Sequence, residues 1–207
     1  MPKVESTTLI TPVTRQVVEL ACDLIKRHPE STPVSVNWAA RNLLDDQLIA
    51  WLGETVDTFG IEPATLEIEI TEGALIHNPD HARENVKKLR SMGFPVSLDD
   101  FGTGYSSFQY LTQLPISGLK IDRAFVINLE TDATARKVMK GMIDLAHTLN
   151  LDVTVEGLET REQCAIVSEL GADYGQGYYL AKPLAEPSYT EYLLAPGPPA
   201  RQRSASS

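Results

Sequence analysis

An α/β fold organised around a parallel β-sheet is what this sequence predicts, and three features predict it. Short apolar runs alternate with amphipathic segments from Val34 onward, glycines stand where the amphipathic segments end, and polar side chains recur where the apolar runs end. A chain that repeats strand, helix, strand builds a parallel sheet through right-handed crossovers.

The strand candidates are Val34–Asn37, Leu66–Thr71, Val96–Asp99, Gly118–Asp122, Val153–Val155 and Tyr174–Leu180. Apolar spacings of three and four predict helices over Leu43–Phe59, Ala82–Met92, Ala133–Leu149 and Glu162–Leu170, with a further helix, Pro12–Arg27, before the first strand. Phe101–Ile116 reads as loop with at most a short helix. Gly60, Gly93 and Gly171 follow periodic segments, where a left-handed cap favours glycine. Asp80 and Thr160 are N-cap candidates, Thr160 with Gln163 at capping-box spacing. Six strand–helix units do not close a standard eight-stranded barrel, so periodicity alone favours an open doubly wound sheet over a barrel.

The 207 residues suit one domain, and 43% hydrophobic with 22% charged residues is ordinary for a globular protein. Residues 1–10 are weakly patterned, 11–194 form the domain, and the Pro-, Gly-, Ser- and Ala-rich stretch 195–207 reads as a disordered tail. No apolar run is long enough to span a bilayer, and the start lacks a signal-peptide pattern. Cys22 and Cys164 lie far apart in helical patterns and read as reduced core residues in a cytoplasmic protein. A net charge of −10 argues against DNA or RNA as partners, since phosphate neutralisation needs clustered Lys and Arg. An acidic protein binds a phosphodiester if its carboxylates first bind metal ions.

That exception directs attention to the strand ends. Asn37 ends the first strand, Glu69 lies near the end of the second, and Asp99 and Asp100 end the third. Lys120 lies in the fourth, Glu156 follows the fifth, and Gln176 lies in the sixth. The carboxyl ends of parallel strands form the ligand-binding face, so these groups meet on one rim. Taken singly, an Asp-Asp pair is most often a turn and a strand-end Glu a solvated edge; recurrence on successive strands is what points to a site. Crowded carboxylates repel and raise one another's pKa values, and hard cations such as Mg²⁺ or Mn²⁺ relieve this with oxygen ligands. Adjacent Asp99 and Asp100 suit a pair of metals, a recurring arrangement for in-line phosphodiester cleavage. The loop Asp100–Ser107, with Phe101, Gly102, Thr103 and Gly104, lacks the spacing of a dinucleotide or Walker motif and reads as a clamp beside the rim. His28, His77, His81 and His147 fall off the rim, and Pro79 argues against His77 and His81 sharing a helix face.

The segments Val36–Arg41, Leu66–Glu72, Leu98–Ser107, Leu119–Val126, Val155–Thr160 and Gly175–Tyr179 together resemble the EAL domain family, whose pattern they follow in order and spacing over roughly residues 5–194. The resemblance implies a modified (β/α)8 TIM-type barrel, here missing its first two strands, in place of the open sheet. It implies hydrolysis of cyclic-di-GMP to the linear dinucleotide with two Mg²⁺ or Mn²⁺ ions. Asn37, Glu69 and Asp99 correspond to ligands of the first metal, and Asp99, Asp100 and Glu156 to those of the second. Lys120 corresponds to a residue holding the attacking water or the phosphate, Gln176 to one supporting that water, and Glu156 also to the general base. Glu72 and Glu159 correspond to anchors of the loop after Asp100. The family also implies dimerisation near the 100–107 loop.

The departures carry expectations of their own. The Glu-Ala-Leu tripeptide, whose glutamate ligates the first metal, does not occur in these 207 residues, nor does the nearby phosphate-binding arginine have a counterpart. A polypeptide starting at Met1 is therefore expected to expose two sheet edges, to be less stable than a full domain or to pair an edge with another chain, and to hydrolyse cyclic-di-GMP weakly or not at all. The alternative is an inactive cyclic-di-GMP-binding or protein-interaction module.

Overall fold

β-Branched and aliphatic residues at every second position produce the sheet. Val36, Trp38, Leu66, Ile68, Ile70, Val96, Leu98, Leu119, Ile121, Val153 and Val155 are each no more than 3% exposed. They join Val18, Leu48, Leu52, Val86, Leu89, Met139 and Ile143 of the helices in one continuous core. The intervening positions hold Ser35, Asn37, Glu67, Glu69, Ser97, Asp99, Lys120 and Thr154. Alternation thus gives the sheet one face that packs under helices and another that is polar.

The computed structural model describes residues 9–29, 33–75, 78–102 and 108–194. Among them the strands are β1 (Val34–Trp38), β2 (Leu66–Thr71), β3 (Val96–Phe101), β4 (Gly118–Ile121), β5 (Asp152–Val155) and β6 (Tyr174–Gly175), all paired in parallel and ordered β1-β2-β3-β4-β5-β6. The helices are α1 (Ile10–Arg27), α2 (Ala40–Leu43), α3 (Asp46–Phe59), α4 (Pro79–Ser91), α5 (Phe108–Gln113), α6 (Ala133–Thr148), α7 (Arg161–Leu170) and α8 (Glu186–Leu194). A doubly wound sheet reverses its strand order at a switch point. This one runs in sequence order throughout and forms part of a barrel wall, so the preference from periodicity for an open doubly wound sheet is corrected. Its two ends approach each other, since α1 meets α8 through an Arg27–Glu186 ion pair and an edge-on contact of His28 with Tyr189. No helix is long and apolar enough to cross a membrane among the described residues.

Local chemistry accounts for the element boundaries. Gly60, Gly93 and Gly171 all take positive φ at helix ends, as their positions predicted. Thr160 and Gln163 form the expected capping box. Three expectations are corrected. Leu43–Phe59 is two helices, because the Asp45 carboxylate accepts from the N–H groups of Gln47 and Leu48 (3.1 Å each) and starts α3 afresh. Asn78, rather than Asp80, caps α4, with Pro79 in the first turn. The strand expected over Tyr174–Leu180 stops at Gly175, because Gly177 crosses directly over Leu158 and the chain turns. Thr103, Gly104, His77 and the segments 1–8 and 195–207 lie outside the described residues.

Candidate active site

β-Sheet register brings the strand-end groups side by side. Asn37 pairs in register with Glu69, and Thr71 with Asp99. Lys120 pairs with Thr154, two positions before Glu156. Beyond β5 the Glu156 N–H donates to Ile121 O (3.0 Å), which keeps the chain on the rim. Gln176 sits beside it, its N–H donating to Val155 O at 2.9 Å and its carbonyl accepting from Leu158 N–H at 3.0 Å.

The centre of the rim is an ion cluster. Lys120 Nζ lies 2.6 Å from Glu69 Oε1, 2.6 Å from Glu156 Oε1 and 4.0 Å from Asp99 Oδ1. Glu69 and Lys120 are buried, 4% and 6% exposed, so this pair is shielded from water. Burial by itself lowers an ammonium pKa, but Glu69 and Glu156 outweigh it and hold Lys120 above its ordinary value. Burial pushes the Glu69 and Glu156 carboxyls up; Lys120 opposes the rise, and Asp99 adds to it. Asp100 is raised by burial and by the charges of Asp99 and Asp122. Four carboxylates (Glu69, Asp99, Asp100 and Glu156) against one ammonium leave an excess of negative charge.

β3 delivers two adjacent aspartates to this rim, which an ordinary strand does not do, since neighbouring side chains point to opposite faces. The β3–β4 register shifts between Leu98 and Phe101, and Asp100 has φ +57°, so the alternation is broken at the pair. Asp100 N–H donates to Asp99 Oδ1 at 2.9 Å. Phe101 returns to the core at 3% exposure. Gly102, at φ +93°, packs so closely on Phe125 that a Cβ there would lie 2.6 Å from its ring. Glu72, in the turn after β2, accepts from Gly102 N–H at 3.1 Å and so ties the start of the loop to β2. Burial raises its carboxyl and the Gly102 bond opposes this. Glu159 is exposed beyond β5, its N–H donating to Gln163 Oε1 at 2.8 Å.

Two contributors escaped the sequence analysis. Asp122 adds charge near Asp100 while capping the turn Arg123–Phe125 through Ala124 N–H; its place two residues after Lys120, on the same strand face, was the available signal. Ser35 donates to Glu67 Oε2 at 2.7 Å, and the interior positions of β1 and β2 pair in register. The described histidines bond away from the Lys120 cluster: His81 contacts Asp46, His147 contacts Asp173, and His28 contacts Tyr189.

The donor set fits a hard divalent cation. Its donors are oxygens, and the surplus of carboxylates over the one ammonium is what such a cation would relieve. Among the described residues no three His, Cys, Asp or Glu form a ready metal cage, and Glu69 and Glu156 each direct an oxygen at Lys120. Next to the rim a cleft of about 1330 Å³ is lined by Asn37, Thr71, Asp99, Asp100 and the starts of α2 and α3.

Known proteins agree with this architecture. The chain is 35% identical over 195 residues to the cyclic di-GMP phosphodiesterase NbdA of Pseudomonas aeruginosa, covering 92% of this chain and 25% of that protein. It is 31% identical over 199 residues to the cyclic di-GMP phosphodiesterase PdeR of Escherichia coli, covering 91% and 30%. It thus spans about a quarter of the length of the curated relatives it matches. The PaMucR phosphodiesterase in complex with c-di-GMP superposes with a TM-score of 0.86 at 32% identity, covering 91% of this chain and 84% of that one. The EAL domain of Mycobacterium smegmatis DcpA superposes at 0.87 with 27% identity, covering 93% and 88%. The EAL domain model matches residues 1–183, and the chain belongs to the EAL domain family.

Proposed function

We propose that this chain binds cyclic-di-GMP along the cleft and hydrolyses one phosphodiester to the linear dinucleotide with two Mg²⁺ or Mn²⁺ ions, as part of a cyclic-di-GMP phosphodiesterase. The observation that carries this is the Glu69–Lys120–Glu156 cluster, with Asp99 at 4.0 Å from the same ammonium, at the carboxyl ends of adjoining parallel strands. Asn37, Glu69 and Asp99 would hold the first ion, and Asp99, Asp100 and Glu156 the second. Bound there, the ions supply Lewis-acid polarisation and a clamp for in-line displacement. Glu156 takes the proton of the attacking water as general base. Lys120 holds the water or the phosphate by charge, and Gln176 orients the water. Glu72, with Glu159, steadies the loop after Asp100.

A Mn²⁺ assay separating linear from cyclic dinucleotide tests the proposal. Hydrolysis that Asp99→Ala abolishes supports it; hydrolysis indifferent to Asp99→Ala refutes the site. The engagement of Glu69 and Glu156 with Lys120 favours a second reading, a module that binds cyclic-di-GMP without cleaving it. Tight nucleotide binding with no linear product would establish that instead. Self-association through the helices beside residues 100–107 or through an exposed sheet edge belongs to the same proposal, and sedimentation reads it directly.

A further inference from the structure

One basic side chain in the cleft plays no part in the chemistry above. Arg41 is the single Lys or Arg among the described residues that line it. It is exposed, and among the described residues it makes no ion pair or hydrogen bond. The carboxylates that follow it in the lining, Asp45 and Asp46, are engaged elsewhere. Asp45 caps α3 through Gln47 and Leu48, and Asp46 pairs with Lys88 at 2.6 Å and His81 at 3.2 Å. The lining therefore brings together Asp99 and Asp100 of the rim and, from the start of α2, a guanidinium that pairs with no carboxylate among the described residues.

Distance makes the two ends of the cleft usable by one ligand. Arg41 stands four residues after Asn37, a backbone span of at most ~14 Å, which is within the reach of a cyclic dinucleotide plus an arginine side chain. Such a ligand has two phosphodiesters. Only one can lie over the ion-binding rim at a time, and the other needs compensation on a protein whose net charge is −10. The planar fork of a guanidinium matches phosphate oxygens.

We propose that Arg41 binds the phosphate of cyclic-di-GMP that is not being cleaved. This rests on the reading of the cleft as a cyclic-di-GMP site. The test is calorimetric titration of wild type, Arg41→Ala and Arg41→Lys with a hydrolysis-resistant phosphorothioate analogue of cyclic-di-GMP in Mn²⁺, at two salt concentrations. Arg41→Ala should bind about tenfold more weakly, with a shallower salt dependence, while Arg41→Lys stays within about threefold of wild type. Because Arg41 is exposed, the melting curves should coincide; if Arg41→Ala melts early, Arg41→Gln carries the comparison. Wild-type binding with Arg41→Ala within about twofold overturns this inference alone. Equal weakness of the Ala and Lys variants with an unchanged salt dependence also overturns it, pointing to a guanine edge read by the fork. No binding by wild type overturns the proposed function and this inference together.

Discussion

The middle of the sheet and its two ends carry parts of the same candidate site in different states. At β2 and β4, each flanked by strands on both sides, Glu69 and Lys120 are buried and bonded to each other. At β1 and β6, each paired on one side among the described residues, Asn37 and Gln176 are exposed. A strand with two neighbours fixes its backbone from both sides and excludes water from its side chains, so an ion pair there is strong and unforgiving. A strand with one neighbour leaves its polar groups solvated. Charge is thus concentrated where strands pair on both sides, and the two amides sit where the sheet is most open.

The largest effect that tests this contrast is removal of the central ammonium. Lys120→Met leaves Glu69 and Glu156 facing each other without a cation. Breaking a buried pair by deleting one partner costs about 3 kcal/mol, a fall in Tm of about 6–12 °C for a chain of this size. Lys120→Arg, which keeps the charge, should recover most of that loss. Asn37→Ala, at the open end, should leave Tm within about 1 °C of wild type, since surface substitutions away from special features are small. Chemical and thermal melts in chelator read all three. A Lys120→Met protein as stable as wild type would mean the central cluster is as solvated as the ends.

Legibility in the sequence follows the same division. The strand-end oxygens of β2 and β3 were legible because alternation over Leu66–Thr71 places Glu69 opposite its buried neighbours, and register does the rest. The ion pairing was not legible. Nothing in the order of residues says that Lys120 turns onto Glu69 and Glu156 rather than toward solvent, since that is decided by how the folded sheet brings its ammonium within 2.6 Å of both carboxylates. Adjacent Asp99 and Asp100 were visible as a pair, but the left-handed backbone at Asp100 that breaks their alternation is a product of the shifted β3–β4 register. At the β6 end, the apolar and aromatic run after Tyr174 suggested a long strand; packing of Gly177 on the Leu158 backbone ended it after two residues.

That contact gives the next prediction. A Cβ at Gly177 would sit 2.1 Å from Leu158 O and 2.2 Å from Leu158 N, which no backbone tolerates without moving. Gly177→Ala should cost about 2 kcal/mol. It should also displace Gln176, whose carbonyl is held by the same Leu158. Gly60→Ala is the control, with φ +69° but open space around it; backbone strain alone should cost about 1 kcal/mol and leave nucleotide binding unchanged. If the two variants bind nucleotide equally well, the β6 end is not coupled to the site and the contrast between centre and ends narrows.

The smallest effect asks whether the ends are loose as wholes or only at their site-facing tips. Cys22 lies on α1, beside β1, fully buried; Cys164 lies on α7, the helix that leads into β6, partly exposed. Burial pushes the Cys22 thiol up to about 11, with Glu19 adding to the rise, so little reactive thiolate exists at neutral pH while the site is closed. Burial also raises Cys164, whose sulfur is less enclosed. A maleimide time course read by mass spectrometry should therefore label Cys164 first and Cys22 only at the rate of local unfolding, at least about tenfold more slowly. Comparable rates would show α1 lifting from β1 in the native state. The exposure of Asn37 would then reflect a frayed edge of the sheet, and a firm scaffold with one solvated tip would be the wrong picture of the β1 end.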